Sequence, residues 1–374
     1  MNNLQLFGKT YRVRLFLFTI ALVLTNNICI AQKIFDVEGS LFGQPIKAQV
    51  DHKLAVKMLT DRQDSSVVNL FSNYQNAELN DELLKNITNQ YSLDVSTLFL
   101  IESLYKQERN KLLQDFYLSS VDSILSSDIG PDFSFLEDFF VLFVPAFNYE
   151  SNAGNFWEQR ALLDAAKISH DIVKTQQWGL VEENAELIVD KLQEISQHHH
   201  NIIVVSVSKG GLEAGLALEK LTNSDALSSV KAWINVSGIL KGSPAADHWL
   251  KPGKKIWLRL GLFFSGKWKV PLNQLLNDLS YTKRKQNTQE MSIPESIYTI
   301  NVLAGKLKTH KNRSDIILPS DGYSPLLDEI VKGGDVVFEM AADHTFKDVD
   351  LNSRMITLFR YTVDQLLTKD ASHQ

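Results

Sequence analysis

A serine becomes a useful nucleophile when a base can take its proton and nearby donors can hold the negative charge that develops. Ser208 is the serine in this chain best placed for that. Residues 202–205 form a short β-branched run that ends in Ser206-Val207-Ser208-Lys209-Gly210-Gly211, and a helical pattern follows at once. A strand that runs into a serine, turns on small residues and continues as a helix is the sequence form of a nucleophile elbow. Such a turn lifts the hydroxyl above the sheet edge, so its close neighbours must be small. Gly210 meets that need on one side, while Ser206 stands where a glycine is usual on the other. The same residues also fit a Ser/Gly-rich turn without chemistry, so the rest of the chain has to decide.

Composition sets the frame. The 374 residues are 44% hydrophobic and 22% charged, an ordinary globular balance with room for one large α/β domain and an attached smaller element, or two domains. Net charge is −6, and since residues 1–31 hold Lys9, Arg12 and Arg14 but no acid, the remainder carries −9. An acidic body without a dominant basic patch argues against nucleic acid as a partner. Residues 1–31 read as an export signal. Three cations precede the mostly apolar run 15–24, and Cys29-Ile30-Ala31 supplies small residues for cleavage after Ala31. That run is shorter than the ~20 apolar residues a spanning helix needs. Cys29 is the only cysteine, so the exported chain is expected to have no disulfide, thiol nucleophile or cysteine-bound metal.

Residues 32–131 read as a mainly helical N-terminal region that begins with a short hairpin around Gly39 and Gly43-Gln44-Pro45. Its apolar stripes suit a core, and its expected role is structural or partner docking. The break at Gly130-Pro131 places a boundary before a second domain, 132–374. There the continuous apolar run 139–144 (FFVLFV) reads as a buried parallel strand. Residues 155–194 read as helical with an interruption at Trp178-Gly179-Leu180. His198, His199 and His200 invite a metal, but consecutive residues rarely converge on one ion, and no carboxylate at a zinc-site spacing accompanies them. They read as a solvated loop, and no metal or cofactor is assigned.

The order Val144-Pro145-Ala146-Phe147-Asn148, helix, Val204-Val205-Ser206-Val207-Ser208-Lys209-Gly210-Gly211, helix, resembles the α/β-hydrolase superfamily, nearest to its lipase and esterase-like branches. The resemblance covers about residues 138–369 and implies a mostly parallel sheet. It also implies a triad in the chain order serine, acid, histidine. A strand at 230–237 and another at 296–303 follow Ser208. Then come Leu318-Pro319-Ser320-Asp321-Gly322-Tyr323, a helix at 325–331, a last strand at 335–340, and Ala341-Ala342-Asp343-His344-Thr345. Asp321 and His344 thus fall in the implied order. A histidine can take up a proton near neutral pH, so His344 would take the serine's proton, and Asp321 would accept from the other ring nitrogen and fix the tautomer. Asp343, adjacent to His344 and badly placed to orient it, is a rival acid; Asp315, Asp328 and Asp335 are weaker ones. For the oxyanion, the resemblance points to backbone N–H groups of Phe147, or Ala146 beside it, and Lys209. The Lys209 side chain is expected to reach solvent, where it could favour an anionic substrate group.

Residues 244–294 read as an insertion that could cap the site. Trp249, Trp257, Leu258, Leu260, Leu262, Phe263, Phe264 and Trp268 interleave with Lys251, Lys254, Lys255, Arg259, Lys267 and Lys269. The mixture suits a lid over an acyl chain or contact with a lipid interface. The plainer alternative is a helix packed on the core with a solvated basic face. The reading that follows is an exported serine hydrolase of carboxylic esters, lipid or other acyl esters first, working through an acyl-enzyme. Two alternatives stay open: an inactive hydrolase-fold binding protein, and an acyltransferase using the same acyl-enzyme.

Overall fold

The hairpin comes first, with β1 (Phe35–Leu41) and β2 (Gln44–Val50) paired antiparallel from Phe35 opposite Val50 to Leu41 opposite Gln44. Phe42 and Gly43 turn the chain at φ 53° and 75°, the positive-φ pair that matches the twist of two adjacent strands. The computed structural model describes residues 34–127, 131–151, 153–264, 269–287, 290–307 and 317–372. Residues 1–31, expected to be an export signal, and Gly130, Lys267, Trp268 and Asp315 lie outside the described residues. Among the described residues, no helix is long and apolar enough to cross a membrane.

Helices Lys53–Thr60, Ser65–Asn73, Asp81–Gln90, Leu93–Tyr105 and Glu108–Ser126 follow the hairpin. Asn80, ahead of the acidic first turn of the third, accepts from the Leu83 N–H at 3.0 Å, the capping that an Asn-Asp-Glu start provides.

Six strands then build one parallel sheet: β3 (Phe140–Val144), β4 (His170–Ile172), β5 (Ile202–Val207), β6 (Val230–Val236), β7 (Tyr298–Ala304) and β8 (Asp335–Glu339). Their order is β4-β3-β5-β6-β7-β8. Alternate side chains of each strand serve two cores, which is why the strands read as continuous apolar runs. Val141, Phe143, Ile203 and Val205 meet Leu113, Met355 and Phe359 on one face. Leu142, Val204 and Trp233 meet Ile188, Leu192, Ala214 and Leu218 on the other. The chain steps from β3 outward to β4, then returns to β5 and continues the other way. The switch point between β3 and β5 is where such sheets open a crevice at their carboxyl ends.

Two expectations need correction. Residues 155–194 are not helical throughout: β4 lies inside them. It has only three half-buried residues on the sheet edge, too few for a period to show. Residues 325–331 do not form a helix but a single 3-10 turn, Leu326–Glu329, after which the chain is extended at Ile330.

The N-terminal helices lie against the other edge of the sheet. Gln114 mimics a neighbouring strand: its Oε1 accepts from Phe338 N–H at 2.8 Å and its Nε2 donates to the Phe338 carbonyl at 3.1 Å. Asn110 Oδ1 accepts from Val336 N–H at 2.8 Å, and Arg109 pairs with Asp335 at 2.6 Å. Val336, Phe338 and Leu326 share one core with Leu98, Ile101 and Val50. An open strand edge is a template for unwanted pairing, and here a helix covers it. Gln114→Leu would strand a buried N–H and a buried C=O on β8. It is expected to lower unfolding stability by about 2–4 kcal/mol, read from urea denaturation midpoints at unchanged m. A change below about 0.5 kcal/mol would show that the edge does not depend on this amide.

Candidate active site

β5 delivers Ser208 into a conformation that L-residues seldom adopt, φ 57° and ψ −120°, and the helix Lys209–Lys220 starts immediately after it. Strain of this kind costs of order 1–3 kcal/mol and persists only where the surroundings over-determine it. Here they do. Ser208 N–H donates to the Val236 carbonyl at 3.0 Å, and the Ser208 carbonyl accepts from Gly211 and Ile239 N–H at 3.0 and 3.1 Å. A Cβ on Gly210 would lie 2.5 Å from the Pro145 carbonyl oxygen and 2.7 Å from that of Val144. Gly210 therefore lets the helix start press directly on the end of β3.

Ser206, at the position usually held by glycine, is fully buried, and its hydroxyl accepts from the Trp233 indole N–H at 2.8 Å. The extra side chain is accommodated because β6 presents a large residue whose one polar atom needs an acceptor.

Residues far apart in sequence come together at the carboxyl edge. Ser208 Oγ is 2.8 Å from His344 Nε2, and His344 Nδ1 pairs with Asp321 Oδ2. Asp321 Oδ1 accepts from the backbone N–H groups of Tyr323 and Ser324 at 2.8 and 3.0 Å, as Gly322 turns the loop at φ 104°. Burial alone would raise the Asp321 carboxyl, but His344 and the two N–H donors outweigh it and hold it below the usual carboxylate range. Tyr323 lays its ring 4.6 Å from that of His344, and its carbonyl accepts from Ser243 Oγ at 2.5 Å.

The rival acids among the described residues have other partners. Asp343 accepts from Thr345 N–H and Oγ1. Asp328 pairs with Lys241 at 3.0 Å, and Asp335 with Arg109. An acid outside the expected set does reach the site: ligand atoms of Glu329, Asp321 and His344 lie within 4.8 Å of one another. No spacing rule marks Glu329 in its Leu-Leu-Asp-Glu-Ile run. The three adjacent histidines are not part of this group, and the His199 ring packs on Phe140 at 4.7 Å.

Phe147, Ala146 and Lys209 all border the pocket beside Ser208. Ala146 N–H donates to the Gly154 carbonyl at 3.1 Å. The expectation for the Lys209 side chain is overturned. It is 2% exposed and turns back along its own helix to pair with Glu213. Burial raises the Glu213 carboxyl to about 7 against the opposing pull of Lys209. Asn184 donates to Glu213 at 2.7 Å and to the Gln176 carbonyl at 2.9 Å, and accepts from Gln176 N–H at 2.8 Å. This network fixes the loop that carries Trp178, whose ring meets Phe147 at 4.5 Å. Lys209 thus braces the pocket wall from behind and offers no cation to a substrate.

The pocket above Ser208 holds about 450 Å³ and is mainly apolar, with Trp178, Trp249, Leu258, Leu275 and Leu276 among its walls. Much of that lining comes from helices Pro244–Leu250, Pro252–Phe264 and Leu272–Asp278. Leu258 and Leu262 face inward and Lys254 and Arg259 are exposed, as in a helix packed on the core with a solvated basic face, while Ile256, Trp257 and Leu260 are also 61%, 72% and 42% exposed.

A parallel sheet with its switch point at β3 and β5, an elbow serine after β5, and an acid and histidine after β7 and β8 define an architecture. This is the α/β-hydrolase fold. No family model matches the chain, and no curated protein matches it. Among solved structures, it is similar to a metagenomic carboxyl esterase at 17% identity, with 64% of this chain and 80% of that one covered and a TM-score of 0.48. It is also similar to a Bacillus licheniformis lipase in mature form (17% identity, 63% and 94% covered, TM-score 0.45). A third is the RedJ thioesterase of Streptomyces coelicolor (14% identity, 66% and 94% covered, TM-score 0.42). These likenesses are distant, and the α/β-hydrolase fold rests here on the sheet order and the elbow.

Two substitutions test the scaffold of the elbow. Gly210→Ala must push the helix start off β3, with an expected loss of about 2 kcal/mol or more and a matching loss of Ser208 reactivity. Lys209→Met leaves Glu213 buried without its cation and is expected to destabilise by about 3–5 kcal/mol. Adding Glu213→Gln should recover most of that loss. If the double variant is no more stable than Lys209→Met in thermal unfolding, the pair does not act as described.

Proposed function

We propose that this protein is an exported serine hydrolase that cleaves carboxylic esters with a long apolar acyl chain, through a Ser208 acyl-enzyme. The observation that carries this reading is the hydrogen-bonded line Ser208–His344–Asp321 opening into a large apolar pocket. His344 Nε2 takes the Ser208 proton as Oγ attacks the ester carbonyl. Asp321 keeps the other ring proton on Nδ1 and stabilises the imidazolium. Backbone N–H groups of Phe147 and Lys209 receive the oxyanion. Collapse releases the alcohol, which leaves with the proton from His344. Water, deprotonated by the same imidazole, then frees the acid and restores Ser208. The pocket falls within the ~300–1,000 Å³ typical of small-molecule sites, and its apolar walls favour a chain over a charged group.

The helix Pro252–Phe264 adds a lipid surface to this reading. Gly253, Ile256, Trp257 and Leu260 share one outward stripe at helical spacing, and exposed Lys254 and Arg259 flank it on either side. Residues 248–277 contain no acid, although the chain as a whole is acidic. An apolar stripe between cations suits the interface of an anionic lipid layer.

A fluorophosphonate probe is expected to label Ser208, and Ser208→Ala to abolish labelling. Ser208→Ala, His344→Ala and Asp321→Asn should each lower kcat by about 10⁴-fold with the fold intact by circular dichroism. Near-native turnover in either of the first two sinks the triad, and an unreactive Ser208 in the native protein favours a binding protein. Activity on p-nitrophenyl esters should rise with acyl-chain length, and a preference for acetate would contradict the pocket assignment. Product analysis with added alcohols separates a hydrolase from an acyltransferase. Replacing Ile256, Trp257 and Leu260 together by Ser should weaken binding to anionic vesicles while sparing turnover of a soluble ester. Equal loss on both substrates would argue against a surface role. N-terminal sequencing of the exported protein tests cleavage after Ala31.

A further inference from the structure

We propose that Glu329 is a protonated positioning acid that donates a hydrogen bond to Asp321, holding that carboxylate in place and moderating its pull on the His344 proton. Its catalytic consequence rests on the triad reading above; its protonation does not.

Glu329 ends the 3-10 turn Leu326–Glu329 and has no exposed surface. The turn is tied into the sheet below the triad. Asn235 on β6 donates to the Glu329 carbonyl at 3.0 Å, and Asn301, its register partner on β7, accepts from Val331 N–H at 3.0 Å. Leu326 N–H donates to the Pro319 carbonyl at 2.9 Å, linking the turn to the loop of Asp321. With the backbone fixed on both sides, the side chain has little freedom to leave the site.

Both Glu329 carboxyl oxygens are buried, and among the described residues no backbone N–H and no cation reaches either one. Ser237 Oγ is likewise buried, and its hydroxyl is a neutral donor beside that carboxyl. Buried polar atoms are rarely left so, and each such case asks for a cause. The Ser237 hydroxyl can donate to one Glu329 oxygen in either protonation state, and a proton on Glu329 accounts for the other. The carboxylic O–H then donates to Asp321, whose ligand atom lies within 4.8 Å, and the remaining oxygen can accept from the Ser237 hydroxyl.

The division of charge follows from the donors. Asp321 receives two backbone N–H groups and the imidazole, whereas Glu329 receives no N–H and no cation. The negative charge therefore belongs on Asp321 and the proton on Glu329, because two bare carboxylates cannot share a dry site. The titratable groups facing Glu329 are Asp321 and His344. Its neighbour Asp328 turns away to Lys241, Lys285 and the Tyr281 hydroxyl. In the same sense, burial first and then the Asp321 charge push the Glu329 carboxyl far above its ordinary range.

An Asp321 carboxylate that also accepts from Glu329 is a weaker base toward His344. Removing that donor concentrates charge on Asp321 and stabilises the imidazolium relative to the neutral ring. In the full-length protein, Glu329→Leu is therefore expected to move the acid limb of kcat/KM upward by roughly half to one pH unit. It should also lower kcat by about tenfold with little change in KM. Glu329→Gln, neutral and still a donor, should restore both limb and rate. The proposal is overturned if Leu leaves the limb in place, or if Gln shifts it as Leu does. Infrared difference spectra of the native protein against Glu329→Gln read the proton directly. A protonated carboxyl band at neutral pH that vanishes in the variant is expected, and its absence overturns the proposal even if neither variant is active. Failure of Ser208 to react with a fluorophosphonate would instead count against the hydrolase reading and leave the infrared result to decide on Glu329.

Discussion

The strained backbone of Ser208 is the constraint on which the rest of the site depends. At φ 57° the residue persists because the neighbouring strands β6 and β3 hold the elbow, each through a different contact. β6 supplies the Val236 carbonyl to Ser208 N–H and the Trp233 indole to Ser206. β3 presents its last carbonyls to Gly210 so closely that no side chain fits between them. The grip fixes the hydroxyl at the switch point of the sheet, where the loops after β3, β7 and β8 can reach it.

Buried charge is handled in the same spirit around this point. Lys209 and Glu213 neutralise each other beneath the pocket wall, and Asn184 carries their order into the loop of Trp178. On the far side, Glu339 at the end of β8 pairs with Arg354, accepts from the Tyr117 hydroxyl and from Ala341 N–H, and so shapes the turn that leads to His344. Tyr117 belongs to the same helix as Gln114. The N-terminal helices thus reach the active edge by bracing the strand and turn ahead of the histidine, without placing a side chain of their own beside Ser208.

The candidate site residues were legible as positions because each follows local rules. A β-branched run before Ser208, a turn glycine after Asp321 and a strand before His344 are each visible within a dozen residues, and chain order linked them. The buried strands were legible for a related reason, since a parallel strand covered on both faces shows as an unbroken apolar run. β4 was hidden because three half-buried edge residues carry no such run.

By itself, then, the sequence determined the strand-turn-helix at Ser208, the Asp-Gly loop and the histidine after the last strand, because short-range sterics and periodicity encode them. Tertiary structure decided the rest. Ser206 fits at a glycine position only because Trp233 sits on the next strand and needs an acceptor. Lys209 turns inward because Glu213, one helical turn away, is itself buried. The outer stripe of Ile256, Trp257 and Leu260 was indistinguishable from core until the packing of Leu258 and Leu262 showed which face was inside. Glu329 reads as one more acid in a turn until the fold carries it under Asp321, where burial, the Asp321 charge and the lack of an N–H or cation beside it favour a proton on its carboxyl. An elbow can be read from ten residues, but which charges are dry, and beside what, is set by contacts between residues hundreds of positions apart.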